Sequence, residues 1–129
     1  MRILLDTHCW LWMLAQPELL KAESRGLLAA AENELFLSAA SSWEIAIKFS
    51  IGRLRLPGDP AELVPAWLAK SRTSALAVEH RHALDVATLP PHHRDPFDRL
   101  LISQARLERL TILTADEQLA AYDVPLLWA

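Results

Sequence analysis

The sequence predicts an α/β fold, a mostly parallel central sheet flanked by helices, and three observations lead there. Short branched and aliphatic runs at residues 2–5, 35–38 and 110–113 recur between longer segments whose apolar residues have helical spacing. The runs are continuous instead of alternating, as strands covered on both faces are. Turn residues separate the two kinds of segment, and strands that alternate with helices pair as parallel neighbours.

In chain order, residues 2–5 form the first strand, and Asp6-Thr7 turns into a helix over 8–15. Pro17-Glu18 opens a longer helical stretch to about residue 30, with Leu19, Leu20, Leu27 and Leu28 on its apolar face and Gly26 as a weak point. Residues 35–38 are the second strand. The next helix starts around Ser41-Ser42-Trp43-Glu44, continues through Lys48, and ends at Gly52. Asp59, Pro60 and Glu62 fit the N-cap, N1 and N3 positions of a helix over 61–70. Residues 74–78 make a weaker third strand, followed by a helical segment over 79–87. Leu89-Pro90-Pro91-His92-His93-Arg94 is a stiff polar connection, because proline fixes its own backbone angle and donates no hydrogen bond. Pro96 restarts a helix over 97–110 that buries Leu100, Leu101, Ile102, Ala105 and Leu107. Residues 110–113 supply another strand, closed by Thr114-Ala115-Asp116. A short helix over 117–121 then leads to a terminal strand over 124–128, with Pro125 at its start or edge.

The 129 residues are expected to form a single domain, 1–129, since a chain of this length can bury a core without metal or disulfide staples. With 13 Lys plus Arg against 16 Asp plus Glu, the formal net charge is −3. That balance argues against a broadly cationic nucleic-acid binder but leaves room for an acidic metal centre among basic residues. No apolar run approaches the roughly 20 residues of a membrane span, and Leu5 leads into Asp6 instead of a signal-peptide core, so a cytoplasmic protein without membrane contact is expected. Cys9 stands alone and is expected to be a small buried thiol. Gly26, Gly52 and Gly58 form no phosphate-cradling loop after a strand, which removes ATPase and dinucleotide readings. The His80, His82, His92 and His93 spacings lack a closed zinc pattern, and the serines at 38, 41 and 42 lack a nucleophile elbow.

In such a sheet, sites gather beyond the carboxyl ends of the strands. Asp6 and Asp116 each follow a strand there, while Glu44 and Asp98 fall in the first turns of two helices. Four carboxylates in one crevice repel unless a cation lies among them, and Mg²⁺ or Mn²⁺ takes hard oxygen ligands and also binds phosphate. The pattern points to a divalent-metal phosphodiester hydrolase. Local capping offers each acid another role. Ser41 with Glu44, and Thr114 with Glu117, have capping-box spacing; Asp95, Pro96 and Asp98 fit N-cap, N1 and N3; Asp6 can cap the helix after it. Capping gives no reason for all four acids to suit one crevice. Thr7 and Thr114 either position water or phosphate or form turns. Arg53, Arg55, Arg94 and Arg99, with Lys48, either grip phosphate oxygens or pair locally. Trp10, Trp12 and Trp43 lie near the acids, and core packing is their default role.

The stretches Ile3-Leu4-Leu5-Asp6-Thr7-His8, Leu37 through Lys48 with its Ser41-Ser42-Trp43-Glu44, His93-Arg94-Asp95-Pro96-Phe97-Asp98-Arg99-Leu100-Leu101, and Leu113-Thr114-Ala115-Asp116 resemble the PIN-domain family. Within it they look like the VapC-type toxins of type II VapBC toxin–antitoxin pairs. The resemblance implies a PIN-like three-layer fold over the whole chain, with Asp6, Glu44, Asp98 and Asp116 at the family's acidic metal positions and Asp95 as an additional acid of this branch. It implies a Mg²⁺- or Mn²⁺-dependent endoribonuclease, in which Asp6 and Asp116 ligate directly and Glu44 and Asp98 ligate directly or through water. RNA as substrate, a cognate antitoxin covering the groove, and a homodimer follow from the same resemblance. A PIN-type DNA nuclease and a catalytically silent protein-binding module are the alternatives.

Overall fold

The computed structural model describes residues 1–129. Five strands, β1 (Arg2–Leu5), β2 (Glu34–Ser38), β3 (Thr73–Leu76), β4 (Thr111–Thr114) and β5 (Leu126–Trp128), form one sheet in the order β3-β2-β1-β4-β5. Every pairing is parallel. Six helices connect them: α1 (Thr7–Ala15), α2 (Ala22–Ala29), α3 (Ala39–Ser50), α4 (Pro60–Lys70), α5 (His80–Asp85) and α6 (Pro96–Glu108). None is long and apolar enough to cross a membrane.

The continuous apolar runs serve two cores at once. Ile3 and Leu5 pack on one face of the sheet with Trp10 of α1, Ile45 of α3 and Val64 of α4. Leu4, between them in sequence, packs on the other with Leu101, Ile102 and Ala105 of α6. This is why β1 shows no polar alternation: both of its faces are covered, and Ile3, Leu4 and Leu5 are fully buried. The chain runs outward from β1 to β2 and β3 on one side, then resumes on the other side with β4 and β5. The order therefore reverses between β1 and β4, and the crevice of an open α/β sheet lies at such a reversal.

Several local expectations change. Helix α3 starts at Ala39, because the Ser38 hydroxyl already accepts the Ala40 N–H at 3.0 Å. The Ser41–Glu44 capping box therefore does not form, and Ser41 sits inside the first turn. The expected helix up to residue 30 splits into a 3₁₀ turn, Pro17–Leu19, and α2; the extended residues Leu20 and Lys21 between them bury Leu20. Helix α5 is short and begins with a capping box that uses a histidine: Nδ1 of His82 accepts the backbone N–H of Glu79 at 2.9 Å. The segment after β4 is a 3₁₀ turn, Glu117–Ala121, capped by Asp116 instead of by a Thr114–Glu117 box. The caps expected from Asp59 and Asp95 are present, at Ala61 N and at Phe97 N with Asp98 N.

Candidate active site

The reversal point between β1 and β4 puts Asp6 and Asp116 beside each other's strand ends. Asp6 N donates to Leu113 O at 3.1 Å, continuing the strand ladder by one residue. Its carboxylate is then held twice: Oδ1 accepts from Cys9 N at 2.8 Å as the N-cap of α1, and Oδ2 accepts from the Thr114 hydroxyl at 2.6 Å. Thr114 Oγ1 also accepts the Asp116 N–H at 3.0 Å, so one buried hydroxyl fixes both strand-end acids. Each carboxylate oxygen has two lone pairs, and these bonds orient Asp6 without exhausting it.

Glu44 enters from α3, almost fully buried, with Lys48 Nζ at 2.9 Å from Oε2. The Thr7 hydroxyl donates to Ser41 Oγ at 2.9 Å, which ties the start of α1 to the first turn of α3 and sets Glu44 relative to Asp6. Asp98 stands in the first turn of α6, whose N-cap is Asp95. Burial, and next the charge of Asp95, push the Asp98 carboxyl up to about 7; Asp6 and Asp116 add to the rise, and His93 opposes it. Asp116 caps the following 3₁₀ turn through Oδ1.

These residues share a cleft of about 340 Å³ lined by Asp6, Thr7, Glu44, Asp95, Asp98 and Asp116. Lys48, His8, Trp12, His93 and Ala115 complete its walls. The oxygen donors that Asp6, Glu44, Asp98 and Asp116 offer here fit a hard divalent ion such as Mg²⁺ or Mn²⁺. Thr114 is fully buried, does not line the cleft, and meets it only through the bond to Asp6.

The arginines divide between exposure and local pairing. Arg53 and Arg94 are exposed; Arg53 lines a small pocket that also touches Thr7 and Lys48. Arg55 is exposed on a separate apolar groove. Of the two roles open to it, phosphate grip and local pairing, Arg99 takes the local one, its guanidinium pointing at the connection before α6. It donates to Pro90 O at 2.9 Å, Val86 O at 3.2 Å and Tyr122 Oη at 3.1 Å. Tyr122 Oη in turn accepts the His93 N–H at 2.8 Å. Arg99 is thus a clamp for the segment that carries His93.

His93 itself was not legible as a site residue. Its Nε2 lies 2.9 Å from Asp116 Oδ2 and 3.0 Å from Asp98 Oδ2. The sequence shows only an adjacent histidine pair in a proline-stiffened stretch two residues before a helix cap, and only the second of the pair reaches the acids. A second group of metal-ligand types, Glu79, His82 and Glu108, is already bridged by Arg81, which pairs with both glutamates. That group ties α5 to α6. Cys9 is fully buried and burial pushes its thiol up, so it stays a neutral packing group.

The profile of the PIN domain family matches residues 3–125. Ribonuclease VapC16 of Mycobacterium tuberculosis is 42% identical over 60 residues, which span 46% of this chain and 43% of that protein, less than half its length. The fold is similar to that in a crystal structure of VapBC2 from Rickettsia felis bound to a promoter DNA fragment, with TM-score 0.75 and 16% identity over 99% of this chain and 98% of that one. DNA-bound VapBC from Salmonella typhimurium gives TM-score 0.70 and 14% identity, again over 99% and 98% of the two chains. At such identities the likeness is one of fold. An all-parallel sheet with four acids meeting at its reversal point, together with a family match over nearly the whole chain, makes this protein a member of the PIN domain family.

Proposed function

We propose that this chain is a divalent-metal-dependent endoribonuclease that hydrolyses RNA phosphodiester bonds, the toxin of a cytoplasmic toxin–antitoxin pair, with residues 1–129 acting as one nuclease domain. The observation that carries the reading is the convergence of Asp6, Glu44, Asp98 and Asp116, from four separate elements, on one cleft. The partial identity to a protein named a ribonuclease supports RNA as the substrate.

When bound, Mg²⁺ or Mn²⁺ supplies a Lewis acid that lowers the pKa of an attacking water and neutralises charge on the phosphate. Asp6 and Asp116 would hold it directly, and Glu44 and Asp98 would do so directly or through water. Thr114 keeps Asp6 in one orientation through the 2.6 Å bond, which limits the reorganisation needed on binding. Asp95 holds the first turn of α6 in place and so positions Asp98. Exposed Arg53 and Arg94 are available to the phosphates flanking the cut.

Beside the cleft, and sharing His8 and Trp12 with it, runs a groove of about 740 Å³ walled by Leu11, Met13, Leu14, Leu54, Leu56 and Trp67. An apolar segment of the antitoxin fits there, next to the acids that a cationic side chain would cover; similarity to chains of VapBC complexes supports that partner. A homodimer belongs to the same reading.

Purified protein should cleave RNA when Mg²⁺ or Mn²⁺ is added. Asp6→Asn with Asp116→Asn, in a folded chain, should abolish cleavage in the same contaminant-controlled assay. Undiminished cleavage by that double variant would refute the mechanism. Faster cleavage of single-stranded or flapped DNA than of RNA would replace the substrate, and metal-independent antitoxin binding without any turnover would favour a silent binding module.

A further inference from the structure

A second recess opens off the cleft at the end of α3. Its floor is Leu11 of α1, Ile45 of α3 and Leu54 of the turn after α3, and its volume is about 350 Å³. Thr7, His8 and Lys48 line both the recess and the cleft, so the two are continuous. The larger apolar groove shares no lysine or arginine with the cleft.

The chain builds this recess locally. Helix α3 ends at Ser50, and Gly52 takes a φ of +75°, a left-handed conformation that glycine adopts without strain. The chain folds back there, and the backbone N–H groups of Arg53 and Leu54 both bond the carbonyl of Lys48, at 2.8 and 3.2 Å. The turn thus brings Arg53 to the same recess as Lys48 and adds Leu54 to its floor. The two cations differ in what they have left to give. Lys48 Nζ is held 2.9 Å from Glu44, whereas Arg53 is exposed and takes part in none of the chain's ion pairs.

A phosphodiester held at the acids must carry its neighbouring nucleotide over one wall of the cleft. Past Lys48, that nucleotide meets an uncommitted guanidinium for its phosphate and an apolar floor beside the His8 ring for its base. We propose that the recess is a nucleotide subsite: Arg53, with Lys48, holds the phosphate next to the scissile one, and half-buried Leu11 and Leu54 receive the base, so that cleavage falls beside an unpaired nucleotide. A base enters such a recess only when free of its pair and its stack, the state in which RNA bases are read. This rests on the RNA-cleaving reading above.

Binding of a short unstructured RNA oligonucleotide, and of the same sequence as a duplex, tests it without cleavage when fluorescence anisotropy is followed over a salt series with a folded Asp6→Asn, Asp116→Asn chain in chelator. Adding Arg53→Met should weaken the single strand several-fold more than the duplex, and should make the slope of log affinity against log salt shallower by about 0.7, the share of one phosphate contact on a single strand. Arg53→Lys should keep the slope. Leu54→Trp, which fills the recess and leaves its charges, should weaken the single strand with no change of slope and leave the duplex as it was. An unchanged slope in Arg53→Met, or equal losses for strand and duplex in Leu54→Trp, would overturn the subsite and leave RNA cleavage standing. So would an Arg53→Met chain that loses affinity for the antitoxin and none for RNA, which would give the recess to the protein partner. If Leu54→Trp does not fold, the Arg53→Met slope and its strand-against-duplex difference still decide. A wild-type chain that neither binds nor cleaves RNA with Mn²⁺ present would remove the RNA reading itself, and the subsite with it.

Discussion

Replacing Asp98 by asparagine should stabilise the metal-free protein, and should do so only where Asp98 is otherwise forced to ionise. Its carboxyl rises from the ordinary 3.8 to about 7, first through burial and then through the charge of Asp95, with Asp6 and Asp116 adding to the rise. Between those two values the folded chain holds a proton that the unfolded chain has released, so stability falls as pH rises from about 4 and levels off near 7. Each tenfold change in proton affinity is worth about 1.4 kcal/mol, so the full effect is on the order of 4 kcal/mol. The side chain is 24% exposed, and solvent and salt reduce the effect, so about 1 to 3 kcal/mol is expected at pH 8. Asparagine also loses the His93 contact and the favourable interaction of a charge with the helix N-terminus, about 0.3 to 1 kcal/mol each, which is smaller than the gain. Urea denaturation in chelator-treated buffer at several pH values measures this. Asp98→Asn should match the wild-type chain near pH 4, exceed it increasingly to about pH 7, and hold its advantage at pH 8. Adding Mn²⁺ should raise wild-type stability by more than it raises that of the variant, which keeps Asp6, Glu44 and Asp116 but lacks the fourth acid. An asparagine variant less stable than wild type at pH 8 without metal, or equally advantaged at every pH, would refute the crowded-carboxylate account.

Three other outcomes follow from the same geometry. Thr114→Val should cost about 1 to 3 kcal/mol in denaturation, since it leaves buried Asp6 Oδ2 without its 2.6 Å donor, and should weaken Mn²⁺ binding in calorimetry; Thr114→Ser should restore both. Arg99→Met should destabilise the chain by about 1 to 3 kcal/mol and loosen residues 86–93 in hydrogen exchange, with no change in the salt dependence of RNA binding; a reduced salt slope would return Arg99 to the phosphate-binding set. Cys9 should resist a thiol-alkylating reagent in the native chain and react readily in urea, because the folded thiol is fully buried and kept protonated. Rapid native labelling would contradict the burial.

Asp95 marks where local and distant information part. Its place one residue before Pro96 is enough to identify a helix cap, and the bonds to Phe97 N and Asp98 N are those a cap makes. The burial that is the largest cause of the raised Asp98 carboxyl is a consequence of α6 entering the cleft, which no spacing reveals. Glu44 went the other way. Its capping-box spacing with Ser41 proved idle because Ser38, three residues earlier, already caps α3, and this freed Glu44 for the cleft.

Local sequence was enough for the strands that bury both faces, the helices between them, and three of the acids: Asp6 and Asp116 just past strand ends and Asp98 in a first helical turn, whereas Glu44 lies a turn deeper in α3 than its spacing suggested. Those features are written in hydrophobic period, in prolines and in caps, all within a few residues of each other. Tertiary structure alone decided what each polar group is used for. Thr114 meets Asp6 across 108 positions of sequence, Arg99 bonds a run of carbonyls and Tyr122, and His93 lies between Asp98 and Asp116. The physical reason is that a hydrogen bond or ion pair is settled by which partner burial leaves within about 3 Å, and a parallel sheet with a reversed strand order brings together partners that the chain keeps far apart.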